Sequence, residues 1–282
     1  NLKNLNSTGK NDNVYKSDLQ IEGMSSYELQ SSLPLIKKND QFEQSLTPKL
    51  SLRFSPNDMK DNSLDDRKVD VSNIFSNNRL GLGDSFEGGR SLTVGIDYKK
   101  EGISDINKYF DLKLATVLRD KEENSIPKVS TLNRKTSNLF GSISTNFKEN
   151  LDVEYNFALD NDLKTFEHNS ILTTLSINSF VTKFKFIEEG GEMGDINTIN
   201  NSTSYRVNDN NYITFNTRRN RKLNLTEYYD LVYQYKNDCL IAGVKYKKNY
   251  YQDRDIKPTE NLFFTVTLFP LTTLEQKIDQ WH

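Results

Sequence analysis

Strict alternation of apolar and polar residues is the dominant pattern along this chain. From Leu151 to Leu159, Leu, Val, Tyr, Phe and Leu occupy every second position, and Asp, Glu, Asn and Ala lie between them. Segments that begin at Leu92 and Leu240 repeat the pattern. Since successive side chains of a strand point to opposite faces, the pattern predicts strands with one apolar and one polar face. About thirteen strands are predicted, near residues 27–37, 46–54, 90–100, 108–119, 137–147, 151–160, 169–177, 180–188, 197–207, 211–219, 226–236, 239–249 and 261–269.

The connections between these strands alternate between tight turns and longer polar loops. The tight turns contain Asn, Asp and Ser, which tolerate the positive φ of short hairpins. They fall at 148–150, 178–179, 208–210 and 236–238, and the longer loops at 120–136, 161–168, 189–196, 220–225 and 250–260. Outer-membrane barrels join their strands in this way, through short periplasmic turns and longer extracellular loops. The pattern therefore predicts an all-β fold, an antiparallel transmembrane β-barrel.

A soluble all-β protein with half-exposed sheets is the structural alternative, because its strands alternate too. The predicted strands are longer than the ~5–6 residues usual in soluble sheets. In a water-filled barrel the polar positions would face water, so they would not need buried partners. These positions include Asp152, Glu154, Lys183, Lys185, Lys245 and Lys247. Bacterial single-chain barrels have even strand numbers, so an odd count predicts that earlier strands are missing and that this is the C-terminal part of a larger barrel.

Composition narrows the class of protein further. Only 35% of the 282 residues are hydrophobic, although 30 are Tyr or Phe. No run approaches the ~18 apolar residues of a membrane-spanning helix, which excludes a helical membrane protein. The net charge of -2, with both signs mixed along the chain, argues against a nucleic-acid partner. The chain opens at Asn1 without a Met or an apolar targeting segment, which also favours a processed chain or a fragment.

Few residues in the chain suggest catalysis. The two histidines, His168 and His282, lie near no Gly-x-Ser-x-Gly signature, and no Cys/His cluster has metal-ligand spacing. We therefore expect no enzyme activity, no metal and no cofactor; a barrel hydrolase that uses His168 is the catalytic alternative. The single cysteine, Cys239, falls at the periplasmic rim if the tight turns are periplasmic. In that oxidising compartment it is either half of a disulfide to a segment outside the chain or a small apolar strand residue.

The C-terminal segment resembles the end of the LptD family of lipopolysaccharide-assembly proteins, in its alphaproteobacterial form. The matching residues are Tyr235 to Leu240 around the cysteine, Val244 to Tyr246, Asp253 to Pro258 (DRDIKP), and Phe263 to Leu268. Weaker matches precede it in the same order, at Ser32 to Leu35, Leu46 to Pro56, Glu87 to Arg90, and Val117 to Asp120.

This resemblance implies a specific function, stated here as an expectation. The family inserts lipopolysaccharide into the outer leaflet of the Gram-negative outer membrane, through a lateral gate between the first and last strands of its barrel. The implied partners are the plug lipoprotein LptE, the periplasmic bridge protein LptA and the barrel-assembly machinery. A generic outer-membrane porin or receptor is the alternative function. Cys239 matches the cysteine that bridges to the N-terminal periplasmic domain. The gate strand would contain Leu262, Phe263, Phe264, Val266, Leu268 and Phe269.

Two further segments carry expectations of lower specificity. Asp253, Arg254 and Asp255 are predicted to form an extracellular loop cluster, which either contacts lipid phosphates or is a solvated charge network. Residues 1–270 are predicted to be the partial barrel and 271–282 a periplasmic tail. Leu271, Leu274, Ile278 and Trp281 follow helical spacing, so the tail is expected to be helical or irregular. Pro270 has no backbone donor and either ends the last strand or weakens the gate.

Overall fold

The computed structural model describes residues 2–11, 14–148, 150–250, 258–268 and 272–279. Its regular structure consists of strands and two short 3₁₀ helices, Lys128–Ser130 and Gly191–Met193. The strands are β1 (Leu2–Asn11), β2 (Val14–Ser25), β3 (Tyr27–Ser32), β4 (Leu35–Lys38), β5 (Phe42–Ser55), β6 (Gly89–Gly102), β7 (Tyr109–Arg119), β8 (Leu139–Lys148), β9 (Leu151–Leu159), β10 (Phe166–Ile177), β11 (Phe180–Glu189), β12 (Asn197–Arg206), β13 (Asn211–Asn220), β14 (Leu225–Lys236), β15 (Leu240–Asn249), β16 (Thr259–Leu268) and β17 (Thr272–Asp279).

Sequential hairpin pairing organises the strands. β1 and β2 pair with each other, and the other strands form one sheet in the order β17 to β5 followed by β3, with β4 also on β5. Antiparallel pairing joins β1 to β2, the strands from β3 to β7, and the strands from β11 to β17. Every predicted segment coincides with a strand, and the first of them, 27–37, with the pair β3 and β4. The predicted all-β, antiparallel fold is therefore confirmed. Among the described residues, no helix is long and apolar enough to cross a bilayer.

The sequence pattern missed three strands, and one of them corrects a prediction. β1 and β2 were not predicted, and the tail at 272–279 was wrongly expected to be helical or irregular. It forms β17, which pairs with β16 from Leu268↔Thr272 to Asn261↔Asp279. An unpaired strand edge offers a row of backbone donors and acceptors, and pairing with it outweighs weak helical spacing. Consequently, β16 is paired on both sides and is not the edge strand of the described sheet.

The two faces of the strands have opposite chemistry, as the alternation predicts. On β5, Leu50, Leu52 and Phe54 are 39–47% exposed, whereas Ser51, Arg53 and Ser55 between them are 2–6% exposed. On β14, Leu231 and Tyr233 are 47% and 46% exposed, and Asp230 is 5% exposed. A soluble sheet normally buries its apolar face and solvates its polar face. In these strands the apolar face is exposed and the polar face is buried.

The chain folds into two compact units. Unit 1 comprises residues 1–143, 156–168 and 190–194, and unit 2 comprises 144–155, 169–189 and 195–282. In unit 1 the connections 56–88 and 120–138 contribute most of a hydrophobic core. The core packs on Ala115 and Val117 of β7, which lie on the same face of the sheet as the polar residue Ser51 of β5. Its other members include Val69, Ile74, Leu80, Leu82, Ile126, Leu132 and Phe140.

Candidate functional site

A buried carboxylate, Glu87, joins three arginines in unit 1. Arg79 donates from Nε and Nη2 to the two oxygens of Glu87 at 2.7 and 2.5 Å, in a bidentate pair. Arg119 donates to Oε1 at 2.5 Å and Arg53 to Oε2 at 3.1 Å. Arg53 also bonds to Glu28 Oε1 at 2.9 Å. We call Glu28, Arg53, Arg79, Glu87 and Arg119 the arginine cluster; its formal charge is +1.

The electrostatics of Glu87 explain why it stays ionised at this depth. Burial disfavours the charged carboxylate, but the Arg79 guanidinium, followed by Arg53 and Arg119, more than compensates and holds the pKa of Glu87 well below its usual range. A carboxylate with a depressed pKa stabilises the folded state above the unfolded value of 4.5, and this contribution is lost as pH falls below it. The cluster is therefore intact at neutral pH.

Local backbone geometry places Glu87 where three guanidiniums can reach it. Arg53 lies near the end of β5, Arg119 ends β7, and Arg79 lies in the connection 56–88 that leads into β6. Gly89, with φ of 76°, turns the chain into β6 in a conformation that favours glycine. Arg119 also donates to the carbonyl oxygen of Gly88. The cluster thus ties a long connection to two strands.

Two further contacts connect the loops of unit 1 to its strands. A Cβ at Gly95 of β6 would lie 2.8 Å from the ring of Phe75, so glycine is what lets the connection 56–88 lie against this strand. Glu167 accepts from Asn138 Nδ2 at 2.6 Å, and Arg134 lies 3.7 Å from Glu167 and 3.1 Å from Glu192. The connections of unit 1 are therefore fixed by a core, by the arginine cluster and by this second polar group.

The apolar face of unit 1 also carries a groove at the ends of β3, β5, β6 and β7. Its volume is about 590 Å³, and its lining includes Tyr27, Leu29, Leu52, Phe54, Leu92 and Leu118. The guanidinium of Arg90 lies 5.2 Å from the centre of the Phe54 ring at its rim.

Unit 2 has a polar ladder on one sheet face. Ser202 Oγ donates to Asn216 Oδ1 at 2.6 Å, and Asn216 Nδ2 donates to Asp230 Oδ1 at 2.7 Å. Lys245 Nζ is 3.1 Å from the other oxygen of Asp230. These cross-strand contacts give the buried Asp230 both a hydrogen-bond donor and a cation, so its charge is compensated. Lys245, one of the polar positions that a water-filled barrel would not require to be paired, therefore pairs with a buried carboxylate.

The opposite face of unit 2 carries a cluster of aromatic rings near the long-loop ends of the strands. Tyr229 lies 6.4 Å from Phe215, 6.3 Å from Tyr246 and 5.6 Å from Tyr250, measured between ring centres. The hydroxyl of Tyr250 donates to that of Tyr229 at 3.2 Å. Lys248 lies 5.3 Å from the Tyr250 ring centre. Rings with polar tips next to a cation are typical of a boundary between an apolar phase and water.

Cys239, the residue considered for a disulfide, lies in a tight turn. Cys239 lies between β14 and β15, is exposed, and forms no disulfide among the described residues. Its backbone N–H donates to Asn237 Oδ1 at 3.0 Å, which fixes the turn. The thiol is therefore accessible to a partner, which the structure does not identify.

The predicted gate residues that are described lie on β16. Leu262, Phe264, Val266 and Leu268 share one face, of which Phe264, Val266 and Leu268 are 37–43% exposed, and Phe263 lies on the other face opposite Lys245. Phe269 and Pro270 lie outside the described residues, as do Asp253, Arg254 and Asp255. Among the described residues, no group of three or more His, Cys, Asp or Glu side chains is arranged to hold a metal ion.

Sequence reasoning matched Glu87 to Arg90 as a motif but missed what Glu87 does. The alternation of apolar and polar residues did indicate the face on which two of the arginines lie. Arg53 falls in phase with Ser51 and Ser55, and Arg119 in phase with Val117 and Ala115, so both arginines occupy the face that the connections cover. Arg79 gave no such signal, because it lies in a connection without periodicity.

The chain matches a family model over most of its length. The family model for LptD, LPS transport system D, matches residues 1–210. The match covers the arginine cluster and ends before Cys239. The comparison with curated proteins finds no significant match.

Comparison with solved structures finds similarity to two mutant forms of a porin and to a receptor, among others. A triple mutant of the Rhodopseudomonas blastica porin has a TM-score of 0.40 and 9% identity, over 92% of this chain and 85% of that one. A second mutant of that porin has a TM-score of 0.40 and 10% identity, over 97% and 90%. A mutant of the ferric enterobactin receptor PfeA from Pseudomonas aeruginosa has a TM-score of 0.45 and 9% identity, over 93% and 49%.

Proposed function

Since the chain belongs to the LptD family of LPS transport proteins, we propose that it is the C-terminal part of a barrel that inserts lipopolysaccharide into the outer leaflet of the outer membrane. The family itself points to transport rather than catalysis and to an outer-membrane location. The insertion step, the lateral gate and the partners are the finer parts of the proposal.

The observation that carries the proposal is the inverted chemistry of the strands. Leu50, Leu52 and Phe54 are exposed while Ser51 and Arg53 beside them are buried. In water, leaving such side chains exposed forfeits about 1.5–3 kcal/mol for each one that could be fully buried. Against hydrocarbon there is no such penalty, and transmembrane barrel strands alternate in this way. The apolar face is therefore the lipid-contacting face of the proposed barrel.

The loop pattern and the aromatic cluster support an orientation. In unit 1 the long connections 56–88 and 120–138 follow β5 and β7, which run in the same direction, so both lie at one end of its strands. In unit 2 the tight turns 178–179, 207–210 and 237–239 follow β10, β12 and β14 and lie at the opposite end from the connection 221–224. Short turns are periplasmic in outer-membrane barrels, so the long-loop end faces outward. The cluster around Tyr229 then lies at the outer interface, where barrels carry a girdle of aromatic residues.

The covered polar face of unit 1 favours a translocon over an open porin. In a porin the polar face lines a water-filled channel. Here the connections 56–88 and 120–138 form a packed core on that face and are tied down by Glu87. A folded cover of this kind restricts the passage of small solutes through the barrel. It is compatible with the exit of lipid through a lateral opening in the barrel wall.

The gate and the disulfide complete the proposal. Because β17 is the edge strand, we place the gate at its unpaired side among the described residues, one strand beyond the predicted position. Cys239, exposed in a tight turn, pairs with a cysteine of the periplasmic domain. A plug lipoprotein (LptE) occupies the barrel, the bridge protein LptA delivers the lipid, and the barrel-assembly machinery inserts the protein.

The test is depletion of the complete protein in its own host, followed by complementation. The proposal expects newly made lipopolysaccharide to stop reaching the cell surface within a few generations and wild-type protein to restore it, measured by labelling surface lipopolysaccharide. Normal surface lipopolysaccharide in fully depleted cells would refute the proposal. Purified protein in liposomes gives a second test, because large, steady ion conductance in the presence of the plug protein would favour the porin alternative.

A further inference from the structure

Four cations crowd the hairpin between β13 and β14. They are Arg218, Arg219, Arg221 and Lys222, within five residues at the long-loop end of unit 2. Two of them are neutralised: Arg218 Nε is 2.7 Å from Glu227, and Lys222 pairs with Asp195. The other two, Arg219 and Arg221, have no carboxylate within 4 Å among the residues that the structure describes.

The two unneutralised arginines lie on the apolar face. Arg219 pairs in register with Ile199, which pairs with Phe186, so the three share one face. The guanidinium of Arg221 lies 5.6 Å from the centre of the Phe186 ring. Arg218 lies on the opposite face, in register with Asn200. The two cations of this hairpin that lack a carboxylate partner are therefore both on the side that meets lipid in the proposed function.

The hairpin holds these arginines in a fixed arrangement. Arg219 Nη2 donates to Asn224 Oδ1, and Asn224 has φ of 49°. The backbone N–H of Arg221 donates to the carbonyl oxygen of Asn197 at 2.8 Å. A guanidinium has five N–H donors, so Arg219 keeps most of its donors after this bond. Preorganisation lowers the entropic cost of binding a ligand.

The neighbouring acidic groups are already engaged. Asp195 and Glu227 pair with Lys222 and Arg218. Glu188, on the same face as Phe186, accepts from Asn197 Nδ2 at 2.8 Å. Because no described carboxylate pairs with Arg219 or Arg221, their positive charges favour an anionic ligand, and Phe186 and Ile199 on the same face favour one with an apolar part. Planar guanidiniums match the oxygens of a phosphate.

We propose that Arg219 and Arg221 form a binding site for the phosphate ester of an outer-leaflet lipid, whose acyl chains lie against Phe186 and Ile199. The placement in the outer leaflet rests on the proposed function. The site lies on the outer wall of the sheet, at the β11 to β13 strands, and is distinct from the edge strand β17 assigned to the gate. It holds a lipid of the surrounding leaflet at the barrel wall.

The experiment measures lipid binding by the complete protein in detergent with native mass spectrometry. The probe is hexa-acylated lipid A carrying two phosphates. A cation near an anionic lipid surface contributes about 1 kcal/mol, or about fivefold in affinity, so R219Q/R221Q should weaken binding about 25-fold. The matched control R218Q/K222Q removes the same charge from the same hairpin and should change binding by less than about threefold, because those cations are already paired.

Several outcomes would overturn the proposal. Equal losses in the two double variants would mean that only net charge matters. Unchanged binding of lipid A without phosphates would mean that acyl chains alone are recognised, and displacement of the lipid by millimolar inorganic phosphate would identify a free-phosphate site. If R219Q/R221Q does not fold, the single variants R219Q and R221Q should each lose about fivefold. Binding in detergent needs no transport, so a failed depletion test would refute the proposed function without changing this result.

Discussion

Replacing Glu87 by Gln is the sharpest test of how the connection 56–88 is held. The substitution keeps the size of the side chain and removes its charge. The Glu87 side chain is 4% exposed, and those of Arg79 and Arg119 are each 1% exposed. E87Q would leave three buried guanidiniums with Glu28 as their one remaining carboxylate within the arginine cluster.

The expected magnitude follows from the cost of an uncompensated buried charge. Removing one partner of a buried ion pair typically costs about 3–5 kcal/mol. Because the cluster joins the connection 56–88 to β5 and β7, we expect this cost to appear as local opening of the connection. An opening free energy lowered by about 3 kcal/mol corresponds to roughly a 100-fold rise in the open population.

Hydrogen exchange of the complete protein, read by mass spectrometry, measures this opening. The amides of Ile74, Ser76 and Gly81 donate to carbonyl oxygens within the connection, at 3.0, 2.8 and 2.9 Å, and serve as reporters. The matched control is D84N, since Asp84 is 55% exposed and lies 3.5 Å from Lys60. A change of less than about threefold in E87Q, or an equal change in D84N, would refute the assigned role of Glu87.

Three further predictions follow from the same contacts and from the exposed thiol. Protection of the same amides, corrected for intrinsic exchange, should be constant near neutral pH and fall as pH drops below 4.5, because Glu87 then takes up a proton when the connection opens but stays ionised while it is closed; protection that rises toward acid would contradict this. G95V should displace the Phe75 ring and destabilise the connection by about 1–3 kcal/mol in the same assay, whereas G83A, where a Cβ meets nothing within 4 Å, should have little effect. The complete protein should migrate differently on reducing and non-reducing gels and C239S should abolish the difference; full maleimide labelling of Cys239 without reductant would contradict the disulfide.

The strands could be predicted because their physics is local. Alternation of period two requires only neighbouring residues, and it located each strand from β3 to β16. β1 and β2 were not predicted because neither has sustained alternation: β1 contains only two apolar residues, Leu2 and Leu5, and the apolar residues of β2 are divided between its two faces. The core of unit 1 could not be predicted either, since Ile74 and Ile126 are brought together by long connections that have no repeat.

The arginine cluster marks a second limit of sequence reasoning. The phase of Arg53 and Arg119 predicts their face but not their common partner. Glu87 lies 34 residues from Arg53 and 32 from Arg119, and their meeting depends on the register of β5, β6 and β7. Register is set by many weak contacts together, so no short motif encodes it.

In the proposed function, β17 changes the position expected for the lateral opening. β16 pairs with β15 through ten residues, Leu240↔Leu268 to Asn249↔Thr259, and with β17 through eight. Separating either ladder inside the membrane would leave backbone groups unpaired in hydrocarbon, at several kcal/mol for each group. Opening along the outer edge of β17, which has no partner among the described residues, breaks neither ladder. Substitutions that probe the proposed gate therefore belong in Thr272–Asp279, and those in β16 should act chiefly on the stability of the sheet.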